Sequence, residues 1–429
     1  MSDSFSTRRA LLRRANLWAL GQGLGAARWF GRPGMLAPLA APFGLSANLA
    51  LAAPPDDRKF VLMILRGAMD GLGAVAPYGD SAYRAARGRL ALDPPGEGAK
   101  ALLPLVEGFG LHPKLSFLHS LWRDKEFAFL HACATPYRDR SHFDAQDVLE
   151  GGVDRVFSAT DGWLNRALTA RPPGATQRGA QREGIAISSA IPLVLRGAAP
   201  TSSWAPSTAP LAASDTLARL TDLYGNDALL GPALASAMQN QQTVAQSPMM
   251  SGMAASPNPN GPARLAEAAA RLLVAPNGPA AAVLALDGWD THANQGTFQG
   301  ALANRLEGLD AALLSLKTGL GTHWAQTVVV VATEFGRTVA ENGTGGTDHG
   351  TGSVAFVLGG RVRGAQMLGD WPTLARSALH EGRDLAPAND LRELLAAVLG
   401  EHWEIADDVL RRQVFPGMPK GRRFPTLLG

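Results

Sequence analysis

A single cysteine, Cys133, in 429 residues excludes any intrachain disulfide and any cysteine-built metal centre. Charge is also sparse, 18% against 46% hydrophobic residues, which excludes disorder for most of the chain. The pI of about 9.2 suggests a basic surface, but residues 1–52 hold six Arg and one Asp, so the remainder carries 34 basic and 36 acidic residues. A near-neutral body has no electrostatic footprint for DNA or RNA. No internal repeat is present. No uninterrupted apolar run is long enough for a stable membrane span, because the Gly/Ala/Leu-rich stretch near the amino terminus is broken by Arg28, Arg32 and several Pro.

What is present begins with an export signature. Arg8-Arg9 precedes Ala10-Leu11-Leu12, and Ala50-Leu51-Ala52 offers small residues for a cleavage site. Residues 1–52 are therefore expected to be a twin-arginine leader handled by that translocation machinery. The expected destination is the periplasm or the cell exterior, with no stable membrane span after cleavage.

The remainder, 53–429, reads as one large α/β domain. Short, continuously apolar runs at 60–65, 127–132, 281–286, 328–332 and 353–358 are expected as strands covered on both faces of a mostly parallel sheet. Shorter strands are expected at 185–188 and 192–195. Apolar spacing predicts helices at 111–122, 145–149, 264–273, 300–320 and 391–399, the last stopping at Gly400. Strand, helix, strand succession argues for right-handed crossovers, hence a sheet sandwiched between helices. Residues 198–262 turn to Ala, Ser, Pro, Asn, Gln and Met, with helical islands at 216–224 and 232–242, and read as an insertion.

Several strands run straight into polar residues. In an open α/β sheet the carboxyl ends of the strands converge on one rim, where ligands bind. The candidates there are Asp70, the Ser141-His142 loop, Asp287, Asp290 and His292, and Glu334 with Asp348 and His349. Carboxylates with two His suit zinc or manganese, whereas an all-oxygen set favours magnesium or calcium. Ser141 is placed to cap a helix and equally to act as a nucleophile at its positive end, with His142 beside it. Arg66, Arg138, Arg140 and Arg337 lie near the strand ends and are candidates to hold a substrate anion. The remaining His residues read as structural, Trp163 and Trp289 as core or, as the lesser alternative, as the lining of a cleft for a sugar or aromatic group, and Cys133 as a small buried residue.

LRGAMDG (65–71), RSHFDAQDVLEGG (140–152), DGWLNRAL (161–168), DGWDTHANQG (287–296), TEFGRT (333–338) and GTDHGTGS (346–353) together resemble the DUF1501 family, itself more distantly similar to the alkaline phosphatase and sulfatase-like superfamily. The resemblance implies an alkaline phosphatase-like fold and a metal-dependent hydrolase of phosphate or sulfate esters, on a small molecule or a glycan. It implies Asp70 as the first-strand metal ligand and Ser141 near the nucleophile. Asp290 with His292, or Asp287 with His292, falls at the Asp/His metal motif, and Glu334 and His349 are further ligands. The pattern is departed from at Phe335, which replaces an expected His, and at Cys133 to Arg138, one residue too long for a formylglycine motif. Phe335, with the unusual Asp290/His292 spacing, favours the alternative, a non-catalytic periplasmic or surface binding protein with the same fold.

Overall fold

A computed structural model describes residues 58–172, 183–206, 214–228, 230–245, 261–419 and 424–429. The expected leader, and residues 207–213 and 246–260 of the insertion, lie outside them.

The strands are β1 (Lys59–Arg66), β2 (Val75–Ala76), β3 (Leu103–Pro104), β4 (Gly110–Leu111), β5 (Phe127–Ala134), β6 (Gly184–Ile187), β7 (Thr201–Trp204), β8 (Ala281–Asp287), β9 (Thr327–Ala332), β10 (Ser353–Leu358), β11 (Gln366–Leu368) and β12 (Asn389–Asp390). Nine form one sheet in the order β11-β5-β10-β9-β1-β8-β6-β7, with β12 pairing β5. β2, β4 and β3 form a small antiparallel sheet. In the large sheet only β10 runs antiparallel to its neighbours, β5 and β9. β1 is parallel to both β8 and β9, pairing Arg66 with Asp287 and Ile64 with Ala332. Three carboxyl ends therefore finish side by side, as the apolar runs predict.

The helices are α1 (Gly71–Ala74), α2 (Tyr83–Arg87), α3 (Ser116–Arg123), α4 (His142–Gly151), α5 (Trp163–Thr169), α6 (Ser214–Tyr224), α7 (Leu230–Ala245), α8 (Pro262–Val274), α9 (Ala301–Leu320) and α10 (Leu391–Trp403). Successive residues of β1 point to opposite sides, and both sides are apolar. Phe60, Leu62 and Ile64 pack with Leu149, Trp163 and Leu394 of α4, α5 and α10. Val61, Met63 and Leu65 pack with Leu118, Ala269 and Leu309 of α3, α8 and α9. At about 1.5–3 kcal/mol for each large apolar side chain fully buried, these two layers make the centre of the sheet the rigid base on which the rim loops stand. The architecture is α/β, a mostly parallel sheet between helices.

Three local expectations differ. Residues 192–195 were expected as a strand, but Leu193–Leu195 is a single 3-10 turn whose Val194 and Leu195 are buried without a strand partner. The predicted helix at 111–122 begins only at Ser116, because Gly110–Leu111 is taken by the small sheet. Gly400 does not stop α10, which runs to Trp403 and ends where Glu404 adopts a left-handed backbone, φ 58°. Burial of His402 and Trp403 outweighs the weak helix propensity of one Gly. Among the described residues no helix is long and apolar enough to cross a membrane.

Candidate metal centre

The site grows from the turn after β1. Gly67 and Ala68 both have positive φ, 117° and 61°, a pairing that points successive backbone N–H groups into one concavity, suited to an anion. Only Gly fits at 67, where a Cβ would lie 2.5 Å from the backbone nitrogen of Asp290. The anion is Glu334, at the end of β9. Its Oε1 accepts from Gly67 N at 2.8 Å and Ala68 N at 3.1 Å, and its Oε2 lies 2.9 Å from the Thr333 hydroxyl. Burial pushes the Glu334 carboxyl up, but the bonds from His142, the backbone and Thr333 outweigh it and hold it below the usual range. Glu334 is thus an ionised, fully buried carboxylate, and on its outer side Oε1 meets His142 Nδ1 at 2.8 Å.

Three imidazoles follow one pattern. Behind each Nδ1 stands an oxygen: Glu334 Oε1 for His142, the Arg140 carbonyl at 2.9 Å for His349, and Asp348 Oδ1 at 3.3 Å for His292. Oxygens of this kind only accept, so each Nδ1 carries the proton, and in the neutral ring Nε2 is bare. Arg140 is held in the left-handed region, φ 61°, as it turns its carbonyl to His349. The bare nitrogens converge. His349 Nε2 lies 3.0 Å from His142 Nε2 and 2.9 Å from His292 Nε2. Asp290 completes the set, its Oδ1 being 3.2 Å from His349 Nε2 and 3.0 Å from His292 Nε2, and its Oδ2 3.4 Å from His142 Nε2.

Ligand atoms around a divalent ion with bonds of roughly 2.0–2.1 Å are separated by about 2.9 Å at right angles and about 3.4 Å at tetrahedral angles. The separations here span that interval. The ligand atoms of His142, Asp290 and His349 all lie within 4.8 Å of one another, with His292 beside two of them. Lone pairs and a carboxylate held this close repel unless a cation or added protons lie between them. The bond to Glu334 raises the His142 pKa against the effect of burial, whereas burial and the neighbouring His142 lower that of His349. The side chains of His142, Asp290 and His349 are 22–42% exposed, so an ion held there would be reachable from solvent.

A family model described as "Protein of unknown function (DUF1501)" matches residues 131–414, which include His142, Asp290, His292, Glu334 and His349. The chain belongs to the DUF1501 family. No curated protein matches it. Among solved structures, the C-terminal periplasmic domain of EcEptC from Escherichia coli, in complex with Zn, is similar at 12% identity over 70% of this chain and 72% of that one, with a TM-score of 0.33.

In this DUF1501 chain the rim does not gather every residue its sequence nominates. Asp70 accepts from Arg87 Nη2 at 2.5 Å, Gln295 Nε2 at 2.6 Å and Gly73 N at 3.2 Å, and is buried. Those partners occupy its carboxylate, so it stands behind the centre. Asp287 ends β8 on an exposed flank and joins no ligand cluster. Glu334 and Asp348 sit one layer back, turning His142 and His292. His142, read from sequence as a catalytic partner of Ser141, belongs with the ligand atoms. Sequence reasoning missed Arg87, Gln295 and Asn342, which connect Asp70, Thr347 and Asp348. Only the loop GTGG before Asp348 hinted at a structured turn.

The four candidate anion-binding arginines are all engaged. Arg66 pairs with Glu150 at 2.5 Å, and Arg140 with Asp384 and Glu381. Arg138 folds back on the Thr135 and Tyr137 carbonyls. Arg337, fully buried, bonds Asp290 Oδ1 at 2.6 Å and Thr347. Burial raises the Asp290 pKa, and Arg337 with the adjacent His residues brings it below the usual range. Ser141 occupies the N-cap position of α4 in extended backbone, but its side chain makes no capping bond. Asp144, three residues on, accepts from the Tyr137 hydroxyl at 3.2 Å. Cys133 is buried with its thiol pushed up to about 12, hence unreactive. His112, His119, His131 and His402 each bond a backbone carbonyl.

Proposed function

We propose that this chain is an exported hydrolase of phosphate or sulfate esters, working with a divalent cation held by His142, Asp290 and His349, with His292 alongside. The observation that carries the reading is the convergence of bare imidazole nitrogens whose opposite faces are each tied to an oxygen. The nitrogen-rich donor set fits zinc or manganese better than magnesium or calcium. When bound, such a cation lowers the pKa of an adjacent hydroxyl or water and offsets charge on a phosphoryl or sulfuryl oxygen. Ser141, next to His142 with a hydroxyl not spent on capping, would lose its proton to solvent and attack the phosphorus or sulfur as the ester oxygen leaves and takes up a proton; water would then cleave the serine ester, releasing phosphate or sulfate and restoring the hydroxyl. The free N–H groups opening α4 would stabilise the resulting charge. Glu334 keeps the His142 ring turned outward throughout.

The test is to purify the protein without chelator, measure bound metal, strip it, and follow turnover of aryl phosphates and aryl sulfates as zinc or manganese is returned. Stoichiometric metal and metal-restored turnover, abolished by Ser141→Ala with metal retained, is the expected result. Absence of both bound metal and metal-stimulated turnover would refute the proposal. A second reading, a cation-dependent binding protein without turnover, is favoured by one observation: all four candidate arginines are already paired, so none offers a free bidentate clamp. Metal retained with no turnover would support it.

A further inference from the structure

Alongside the cation centre runs a cleft of 1380 Å³, larger than the roughly 300–1,000 Å³ typical of small-molecule sites. It follows the carboxyl ends of β1, β6 and β8 and the outer side of α4. Three residues tie it to the centre. Phe143 adjoins His142, Trp289 adjoins Asp290, and Gln146 Nε2 lies 3.4 Å from Glu334 Oε1.

We propose that this cleft binds a neutral, polyhydroxylated chain, an oligosaccharide that carries the ester to the centre; the inference rests on the hydrolase reading above. Charge comes first. The lining holds three guanidinium groups, Arg66, Arg196 and Arg305, against three carboxylates, Asp147, Glu150 and Asp287. Balanced charge of this kind neither attracts a polyanion nor a polycation, while it supplies both donors and acceptors for hydroxyl groups.

Aromatic surface comes second. Phe143 and Phe157, the two most exposed large apolar side chains among the described residues, at 84% and 75%, both line this cleft. Phe157 is fixed there, its backbone in the left-handed region at φ 53° with its N–H bonded to Asp147 Oδ1 at 2.6 Å. Exposed rings in a cleft whose lining is more apolar than polar suit the C–H faces of sugar rings, whose edges would present hydroxyls to the charged residues among that lining. Third, Trp289 lines the cleft, is 1% exposed, and its indole N–H has no hydrogen-bond partner. That nitrogen is closed to solvent, so an acceptor on a bound molecule would meet it only where the adjoining wall shifts on binding.

The experiment is titration calorimetry on the full chain with neutral hexasaccharides of glucose, xylose and N-acetylglucosamine, and with a set of neutral hexapeptides. Phe143→Ala, Phe157→Ala, the double variant and Trp289→Phe are compared, with bound zinc measured in each sample. At least one hexasaccharide is expected to bind. Its affinity should fall at least tenfold in the double variant and severalfold in Trp289→Phe, with the zinc content of the phenylalanine variants unchanged. No hexasaccharide bound, sugar binding indifferent to both Phe residues, or Phe-dependent binding of peptides instead would overturn the proposal. Failure of the hydrolase reading is seen separately, as sugar bound without turnover of any aryl ester.

Discussion

Replacing Asp70 by Asn separates two readings of the residue that ends LRGAMDG. As a metal ligand, Asp70 would take bound cation with it when neutralised. In the structure it is half of a buried ion pair with Arg87, N to O 2.5 Å, the side chains 1% and 0% exposed. With both groups out of solvent no screening discount applies, and removing one partner of such a pair costs about 3–5 kcal/mol, because the other charge is left buried. Arg87 would keep only the Val339 carbonyl at 3.0 Å and the Thr338 carbonyl at 3.4 Å. The amide oxygen can still accept from Gly73 N, so α1 should persist. Unfolding entropy of about 2.1 cal/mol/K per residue converts that loss, for a domain of this size, to a drop of roughly 4–6 °C in Tm. Calorimetry and metal analysis after dialysis measure both quantities on one sample, with zinc expected to remain stoichiometric. Replacing the pair together, Asp70→Leu with Arg87→Met, should recover part of the stability. Loss of zinc with a Tm change below about 1 °C would refute the placement and restore Asp70 as a ligand.

Glu334→Gln should weaken zinc binding by about 10- to 100-fold, since a partner that fixes the tautomer of a ligand His is worth that much; unchanged affinity in equilibrium dialysis would show that the carboxylate does not orient His142. His349→Ala should cost more zinc affinity than His292→Ala, because His349 Nε2 contacts His142, His292 and Asp290 together; the reverse order would move the centre toward His292. Acid should destabilise the fold through His131 and His402, whose pKa values burial lowers to about 4 and about 3. Unfolded imidazoles titrate near 6.5, so below that pH the unfolded chain binds more protons, and stability is full above about 6.5 and falls as pH drops toward 4. The two rings together give a slope approaching roughly 2.7 kcal/mol per pH unit at the acid end; a flat urea-unfolding profile between pH 4.5 and 6.5 would contradict their neutral burial.

The sheet was legible because burial on both faces leaves a mark in sequence. Lys59–Arg66, Ala281–Asp287, Thr327–Ala332 and Ser353–Leu358 are runs with almost no polar interruption, and the crossover α9 carries apolar residues at helical spacing. Leu193–Leu195 misleads for the same reason, since burial alone does not say whether a neighbouring strand is within reach. In the site, sequence locates the rim and the residues on it, but not the layer each one occupies. Glu334 ends a strand as a ligand would, yet the Gly67 and Ala68 N–H groups approach from the next strand and leave its remaining face to His142. Asp70 depends on Arg87, Gln295 and a turn of its own, and a pairing between residues 70 and 295 has no local signature.

The charge of the centre points the same way as its distances. Asp290, Glu334 and Asp348 each have a carboxyl held below its ordinary range, so all three are anionic at neutral pH. Arg337, bonded to Asp290, returns one positive charge. With the three imidazoles neutral, three negative charges and one positive leave a net charge of −2. Water does not neutralise that balance, and protonating two neighbouring rings would put cationic nitrogens 2.9–3.0 Å apart. A divalent ion would cancel the charge and fill the gap between bare nitrogens at the same time. The buried Arg337 is therefore part of the selection: without it the centre would carry −3, and the Asp290 oxygen it restrains would be free to turn away from His349.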